Sequence, residues 1–359
     1  MYSDSDLEAA VAAGALSPDA AAGLRTYVSG RRATPAVDEE HFRLLTGFND
    51  IFVGIAAVIL LVAVAWIGNA IPPRIDVDGP SVWAGFAVAA TAWGLAEFFT
   101  RKRRMALPSI ILLLAFVLGV FATAAAVVGI MVPPHVVEDN TMLLGSLLSL
   151  CAAIAAGGAY LHWRRFKVPI TVAAGAAAVA ATAVGLVLSA IPDTWDEENF
   201  LLSAVLVMGI GTFLFAMRWD SSDPARQTRR SDVAFWLHLL AAPMIVHPIF
   251  ALLGLTDGNA TVLEALIVLL VYVLLGLTAL AIDRRALLVS ALAYVLWALS
   301  DLFKRFGAIE LNFAITALVI GSALLLLSAF WHSVRRTVVR PLPAGLQAKL
   351  PVTDRVAVA

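Results

Sequence analysis

Ten stretches of this chain run for roughly 20 residues with almost no charged side chain, the length a helix needs to cross the hydrocarbon core of a bilayer. They cover 51–71, 81–100, 107–132, 141–161, 169–191, 199–217, 233–254, 261–282, 286–303 and 311–331. Hydrocarbon offers no water to backbone N–H and C=O groups, so each stretch must satisfy them internally, as a helix does. Composition closes off the alternative of one large core in water. Of the 359 residues, 61% are hydrophobic and 14% charged, whereas soluble domains are about half apolar and about a quarter charged. The predicted fold class is all-α: a polytopic transmembrane helical bundle of about 10 spans, preceded by a short cytoplasmic helical hairpin, with both termini cytoplasmic. The ninth stretch is the shortest and the weakest member of the count.

Orientation follows from the basic residues, which are retained on the cytoplasmic side. Alternate loops carry Arg101-Lys102-Arg103-Arg104, Arg164-Arg165 with Lys167, Arg218 with Arg226, Arg229 and Arg230, and Arg284-Arg285. The segments before the first span and after the last carry nine more. All but three of the 25 positive residues thus fall on one side; Arg74, Lys304 and Arg305 are the exceptions. The opposite loops are acidic, with Asp76, Asp78, Glu138, Asp139, Asp193, Asp196, Glu197 and Glu198. Lys304-Arg305 lies beside the ninth stretch, where an error in the count would fall. The segment before the first span begins with acidic and small residues (Asp4, Asp6, Glu8) and lacks a basic-then-apolar leader pattern. The first span is therefore expected to lead insertion.

Three divisions follow: residues 1–45, a cytoplasmic helical hairpin and linker; 46–335, the transmembrane domain; and 336–359, a cytoplasmic tail rich in proline (Pro341, Pro343, Pro351) and expected to be poorly ordered. In the first, Ser5 with Glu8 reads as a capping box. Gly14 reads as a helix stop, and Ser17-Pro18 as an N-cap followed by proline at the first helical position. The membrane region also repeats. Ile71-Pro72, Val132-Pro133 and Ile191-Pro192 end alternate spans about 60 residues apart, and paired arginines precede the third, fifth, seventh and ninth spans. Ordinary up-and-down punctuation and duplication of a hairpin unit both account for this.

The N-terminal pattern of Leu7, then Gly14 and Leu16-Ser17 opening a second short helix, runs through a polar linker into the first spans. It resembles a family of predicted bacterial multi-pass inner-membrane proteins of unassigned function, recognised by that segment. The resemblance covers the first 70 to 100 residues or so. It implies a bacterial inner-membrane protein and carries no catalytic residue onto this chain.

Ionisable side chains within a span cost roughly 2.5–3.5 kcal/mol at its centre and are functional candidates by default. The predicted intramembrane polar cluster is His247, Glu264 and Asp301, in the outer half of the last spans. His247 precedes Pro248 in the seventh span. Glu264 opens the eighth across a short loop, about four residues (roughly 6 Å) from it in depth. Asp301 lies at the outer end of the ninth, near Lys304-Arg305. His238 and Glu97 are secondary candidates. His238 and His247 are nine residues apart, on nearly opposite faces of a straight helix unless Pro243 bends it. Glu97 is four residues before Arg101, on one helix face. Asp283, beside Arg284-Arg285, reads as a local interfacial pair, and His162 and His332 as interfacial.

No catalytic motif is found, and no Cys/His spacing for a metal, so no catalytic residue, metal or cofactor is assigned. Cys151 is the sole cysteine, which excludes an intrachain disulfide. The net charge of −1 argues against nucleic acid. The partners implied are the lipid bilayer and, at residues 1–30, a protein. Two functions fit best, a transporter or permease for a small solute, or a non-transporting scaffold or regulator acting through its N-terminal hairpin; an intramembrane enzyme using His238 or His247 is the third reading.

Overall fold

The computed structural model of the protein describes residues 10–24, 48–75, 79–137, 140–191, 197–224, 226, 228–254, 262–285, 288–292, 295–296 and 312–352. The chain divides into two units, Met1–Phe42 with Asp354–Ala359, and Arg43–Thr353. In the first unit, Gly14 takes a left-handed φ of 70° between two short helical segments. The Ser17 hydroxyl accepts the Ala20 N–H, 3.2 Å away, at the start of the second.

The regular secondary structure described in the second unit is all helical, apart from one isolated bridge between Arg74 and Ser81. Its first seven long helices are α1 (Phe48–Asn69), α2 (Val82–Ala96, continued by a π-helical turn Glu97–Lys102), α3 (Ala106–Met131), α4 (Thr141–Phe166, after a single helical turn Pro134–Val137), α5 (Ile170–Ala190), α6 (Glu197–Ser221) and α7 (Arg229–Leu252). These seven are long and apolar enough to cross a membrane. Then come α8 (Val262–Ile282), α9 (Asn312–Ala329), α10 (Trp331–Val339) and α11 (Ala344–Gln347). α9 and α10 meet at a bend of 76° and raise the number to eight if they count as one span. The ninth predicted stretch lies mostly outside the described residues.

Helix starts are set by local chemistry. Asn140 Oδ1 accepts the Leu143 N–H (2.8 Å) at the start of α4. Ser81 Oγ caps α2 through the Trp83 N–H (3.1 Å) while the Ser81 N–H donates to Asn69 Oδ1 (2.8 Å), fastening the loop between α1 and α2. Each such cap satisfies a donor that the helix end leaves orphaned.

The early helices pack through small residues. A Cβ on Gly85 of α2 would lie 2.6 Å from Thr123 N and 2.8 Å from Gly119 O of α3. A Cβ on Gly145 of α4 would lie 2.5 Å from Ser189 N of α5. Backbones this close demand glycine, and small residues are what lets membrane helices approach. Ala57, Ala92, Ala96, Ala155 and Ala159 fill much of the rest. The later helices use bulkier groups: Val246, Phe250, Val268 and Ile320 in one cluster, Leu280, Ile282, Leu288 and Trp331 in another. α7 is the most enclosed span, with half of its apolar window buried.

The basic turns share one backbone device. Arg104, Lys167, Arg226 and Asp283 have φ of 54°, 56°, 53° and 58°. Each follows an even-numbered helix, and they recur about 60 residues apart. A left-handed residue lets the last carbonyls of a helix be satisfied before the chain reverses. Lys167 donates its N–H to Trp163 O (3.1 Å), and Arg284, after Asp283, donates to Ala279 O (2.9 Å).

One sequence expectation changes here. Residues 336–352 are not loose but continue α10 and α11, and Val352 N donates to Pro224 O (3.4 Å). Arg335 is the physical reason. Its side chain is buried, and its guanidinium donates to Leu280 O (3.1 Å), Pro351 O (2.6 Å) and Val352 O (3.1 Å). Proline content alone could not reveal an anchor that lies upstream of the prolines.

Candidate functional site

Buried charge concentrates where α6, α7, α8 and α10 come together. α6 ends in Trp219-Asp220-Ser221, and the Asp220 side chain is 1% exposed. A carboxylate in such a place needs partners on both oxygens. Arg284, just past α8, donates from Nη2 to Oδ1 at 2.7 Å. His238 of α7 places Nε2 2.9 Å from Oδ2. An ionised carboxylate only accepts, so Nε2 carries the hydrogen. Nδ1 then faces apolar surroundings without a partner, with the Phe213 ring 5.2 Å from the imidazole. Arg284 also donates to Ser231 O (3.1 Å), and its guanidinium sits 6.0 Å over the Phe235 ring.

A second carboxylate adjoins the first. Asp283 accepts from Arg226 Nη1 (2.9 Å) on Oδ2 and from Trp331 Nε1 (2.7 Å) on Oδ1. Arg335 Nε lies 3.7 Å from Oδ1. Arg226 is held in turn by Asp283 O (3.0 Å) and Ile282 O (3.2 Å). Burial alone would raise the Asp283 carboxyl. The Arg226 and Arg335 guanidiniums and the Trp331 N–H more than offset this and hold it below the usual carboxylate range. Asp223 completes the turn, accepting the Thr228 N–H (2.8 Å) and hydroxyl (2.7 Å), so that Thr228 can cap α7.

Chemically the cluster joins two carboxylates, three arginines and one histidine across four helices and the folded tail. Such a network is no more stabilising than apolar packing of the same volume, but removing one member leaves a bare charge in a dry place.

The sequence-predicted residues are distributed differently. His238 is buried in the cluster and His247 is exposed; α7 runs through Pro243 and Pro248, and the structure does not bring the two histidines together. The side chain of Glu264 and the whole of Asp301 lie outside the described residues, as do Tyr294, Trp297, Lys304 and Arg305. Glu97 sits in the π-helical turn. Arg101 Nη1 reaches it at 3.2 Å, and Arg165 reaches it closer and twice, at 2.6 and 3.0 Å. Asp283 is not a local pair with its neighbours, since its direct partner Arg226 is 57 residues away. His162 is fully buried among Trp93, Phe116 and Phe166, with Nδ1 3.3 Å from Thr171 Oγ1.

Sequence reasoning passed over Asp220, Arg226, Arg284, Arg335 and Trp331. One signal was available: Asp220, Asp223 and Asp283 are carboxylates within or beside otherwise basic turns, and a carboxylate among arginines invites pairing. Among the described residues, no three His, Cys, Asp or Glu side chains are grouped to hold a metal ion. No protein-family model, no curated protein and no solved structure matches the chain. Its helices define a class: an all-helical chain of several membrane-length spans, consistent with a multi-pass membrane protein.

Proposed function

We propose that this is a ten-span bacterial inner-membrane protein, with its basic turns and both termini cytoplasmic, that moves a small solute across the membrane. The Asp220–His238–Arg284 and Asp283–Arg226–Arg335 cluster closes its cytoplasmic side. The observation that carries this reading is the burial of the cluster at one end of α6, α7 and α8. Charges are costly there and give no net stability over apolar residues, so a two-state role accounts for keeping them. The asymmetry of the basic residues supports the orientation, and the N-terminal resemblance supports the source. His247 and Glu264 belong to the outer part of the same helices and are the proposed solute-side groups.

A test needs no knowledge of the solute. In a Cys151→Ala background, single cysteines replace Ala242 and Val246, which α7 buries completely. The transport reading expects a membrane-impermeant thiol reagent to reach them from one side, and Asp283→Asn to raise the rate from the cytoplasmic side. If neither cysteine reacts from either side, with or without Asp283→Asn, no pathway runs along α7 and the reading fails.

The scaffold reading has its own support. The backbone contacts of α2 with α3 and of α4 with α5 make the early helices a stiff block, and Met1–Phe42 falls in a separate unit. It expects deletion of residues 1–42 to abolish the cellular phenotype while leaving the thiol accessibilities unchanged.

A further inference from the structure

We propose that His238 is a proton-binding site: the buried cluster opens when its Nδ1 takes up a proton, which links movement of the solute to protons. The inference rests on the reading that the cluster has an open state, and it names what drives the opening. It starts from one face of α7. His238, Ala242 and Val246 are spaced four residues apart and are all buried. Phe213 of α6 and Tyr272 of α8 pack against the apolar group that holds Ala242, and Tyr272 also against the one that holds Val246. Along this apolar face two buried polar atoms have no partner, His238 Nδ1 and the Tyr272 hydroxyl oxygen. Orphaned polar atoms are rare in a folded interior and call for a reason. A second state in which water reaches both supplies one.

The closed arrangement suits a neutral imidazole alone. Nε2 gives its hydrogen to Asp220 Oδ2 at 2.9 Å, and Nδ1 is then a bare lone pair. Protonation turns Nδ1 into a second donor. The charged and titratable groups described around the ring are Asp220 of α6, Arg284 beyond α8, Arg226 from the turn between α6 and α7, and Tyr272 of α8. α5, also packed on α7, carries no titratable side chain. Asp220 already serves the other ring nitrogen and Arg284. Asp283, next to Arg284, is taken up by Arg226 and Trp331. The two guanidiniums repel an imidazolium. The new N–H would face apolar surroundings, with the Phe213 ring 5.2 Å from the imidazole and nothing to accept it. A cation so placed persists only if the helices part and admit water. The step moves one proton from water to Nδ1, and no other bond forms or breaks.

The test uses the full-length protein in neutral detergent, with Cys151→Ala and either Ala242→Cys or Val246→Cys. Reaction with a charged, water-soluble thiol reagent is followed between about pH 8 and about pH 5, the range in which an imidazole exchanges protons. Each rate is divided by that of an exposed cysteine, Ala13→Cys, to remove the effect of thiol ionisation. The normalised rate should rise as pH falls, by up to about tenfold per pH unit for one proton. His238→Gln, whose amide still donates to Asp220 but does not titrate, should abolish the pH dependence, and His247→Gln should keep it. Should His238→Gln not fold, His238→Asn is read in the same way. pH dependence retained in the His238 variant, or lost in His247→Gln, overturns the assignment. Reaction at a rate that does not vary with pH also overturns it and leaves the transport reading standing. No reaction at any pH, with or without Asp283→Asn, overturns both.

Discussion

The early and late helices use the same device with opposite weight. In each half, a carboxylate at the end of one even-numbered helix meets an arginine at the end of the next. Glu97 of α2 pairs with Arg165 of α4, and Asp220 of α6 with Arg284 after α8. The first pair is one-third and two-fifths exposed; the second is about 1–2% exposed. Where glycine and alanine bring backbones together, as in α2 to α5, the helices are fixed by packing and the ion pair can stay in solvent. Where side chains are bulkier, as in α6 to α10, the charges have moved inside and become part of what fixes the helices. Burial, not the pair itself, decides how much a charge contributes.

The comparison can be broken most forcefully at Asp220. Asp220→Ala strands Arg284 and His238 in a dry site and should destabilise by about 3–5 kcal/mol, read as a large fall in thermal midpoint in detergent. A fall no bigger than that of a surface variant would mean the cluster is solvated. Next comes packing. Gly145→Val places methyl groups against Ser189 and Gly185 and should cost about 1–3 kcal/mol. Tolerance of valine by the early helices would remove the contrast drawn here.

Acid should affect the two halves unequally as well. The Asp283 carboxyl is held below its unfolded value, so its contribution is complete above the unfolded carboxylate range near about 4 and is lost as pH falls through the lower folded value. Between pH 7 and 5 this group should leave stability unchanged. Below about pH 4 stability should fall, and Asp283→Asn should remove that part of the acid dependence. An unchanged acid profile in Asp283→Asn would show that Asp283 is not ionised in the fold. The smallest effect is expected for Glu97→Gln: a change near the error of a thermal scan, vanishing in high salt because both partners face solvent. A change as large as that of Asp220→Ala would equate the two halves.

How legible each part was depended on range. Seven of the predicted stretches appear as membrane-length helices because apolar length is a local property, written within about 20 consecutive residues. For the same reason Gly14 takes the left-handed conformation that the lack of a Cβ allows, and Ser17 caps the segment that follows it. The Glu97–Arg101 contact needed only helical spacing. Arg165 on Glu97, Arg226 on Asp283 and Arg284 on Asp220 are separated by 68, 57 and 64 residues. No periodicity encodes which turn lies beside which, so these partners waited for the fold. His162 shows the same limit from the other direction. Its tryptophan neighbour and flanking arginines mark a helix end, yet Trp93, Phe116 and Phe166 come from three helices to bury it.

The left-handed residues at Arg104, Lys167, Arg226 and Asp283 have a consequence for how such a chain can change length. Each closes a turn, and between one and the next the chain makes two long helices. A segment of about 60 residues cut at these points ends on the side where it began. Losing or gaining one such segment would not invert anything downstream, whereas losing a single helix would move every later basic turn to the opposite helix ends. Parity, rather than sequence, is what the four turns preserve, and they mark the places where the chain can be shortened or extended with its sidedness intact.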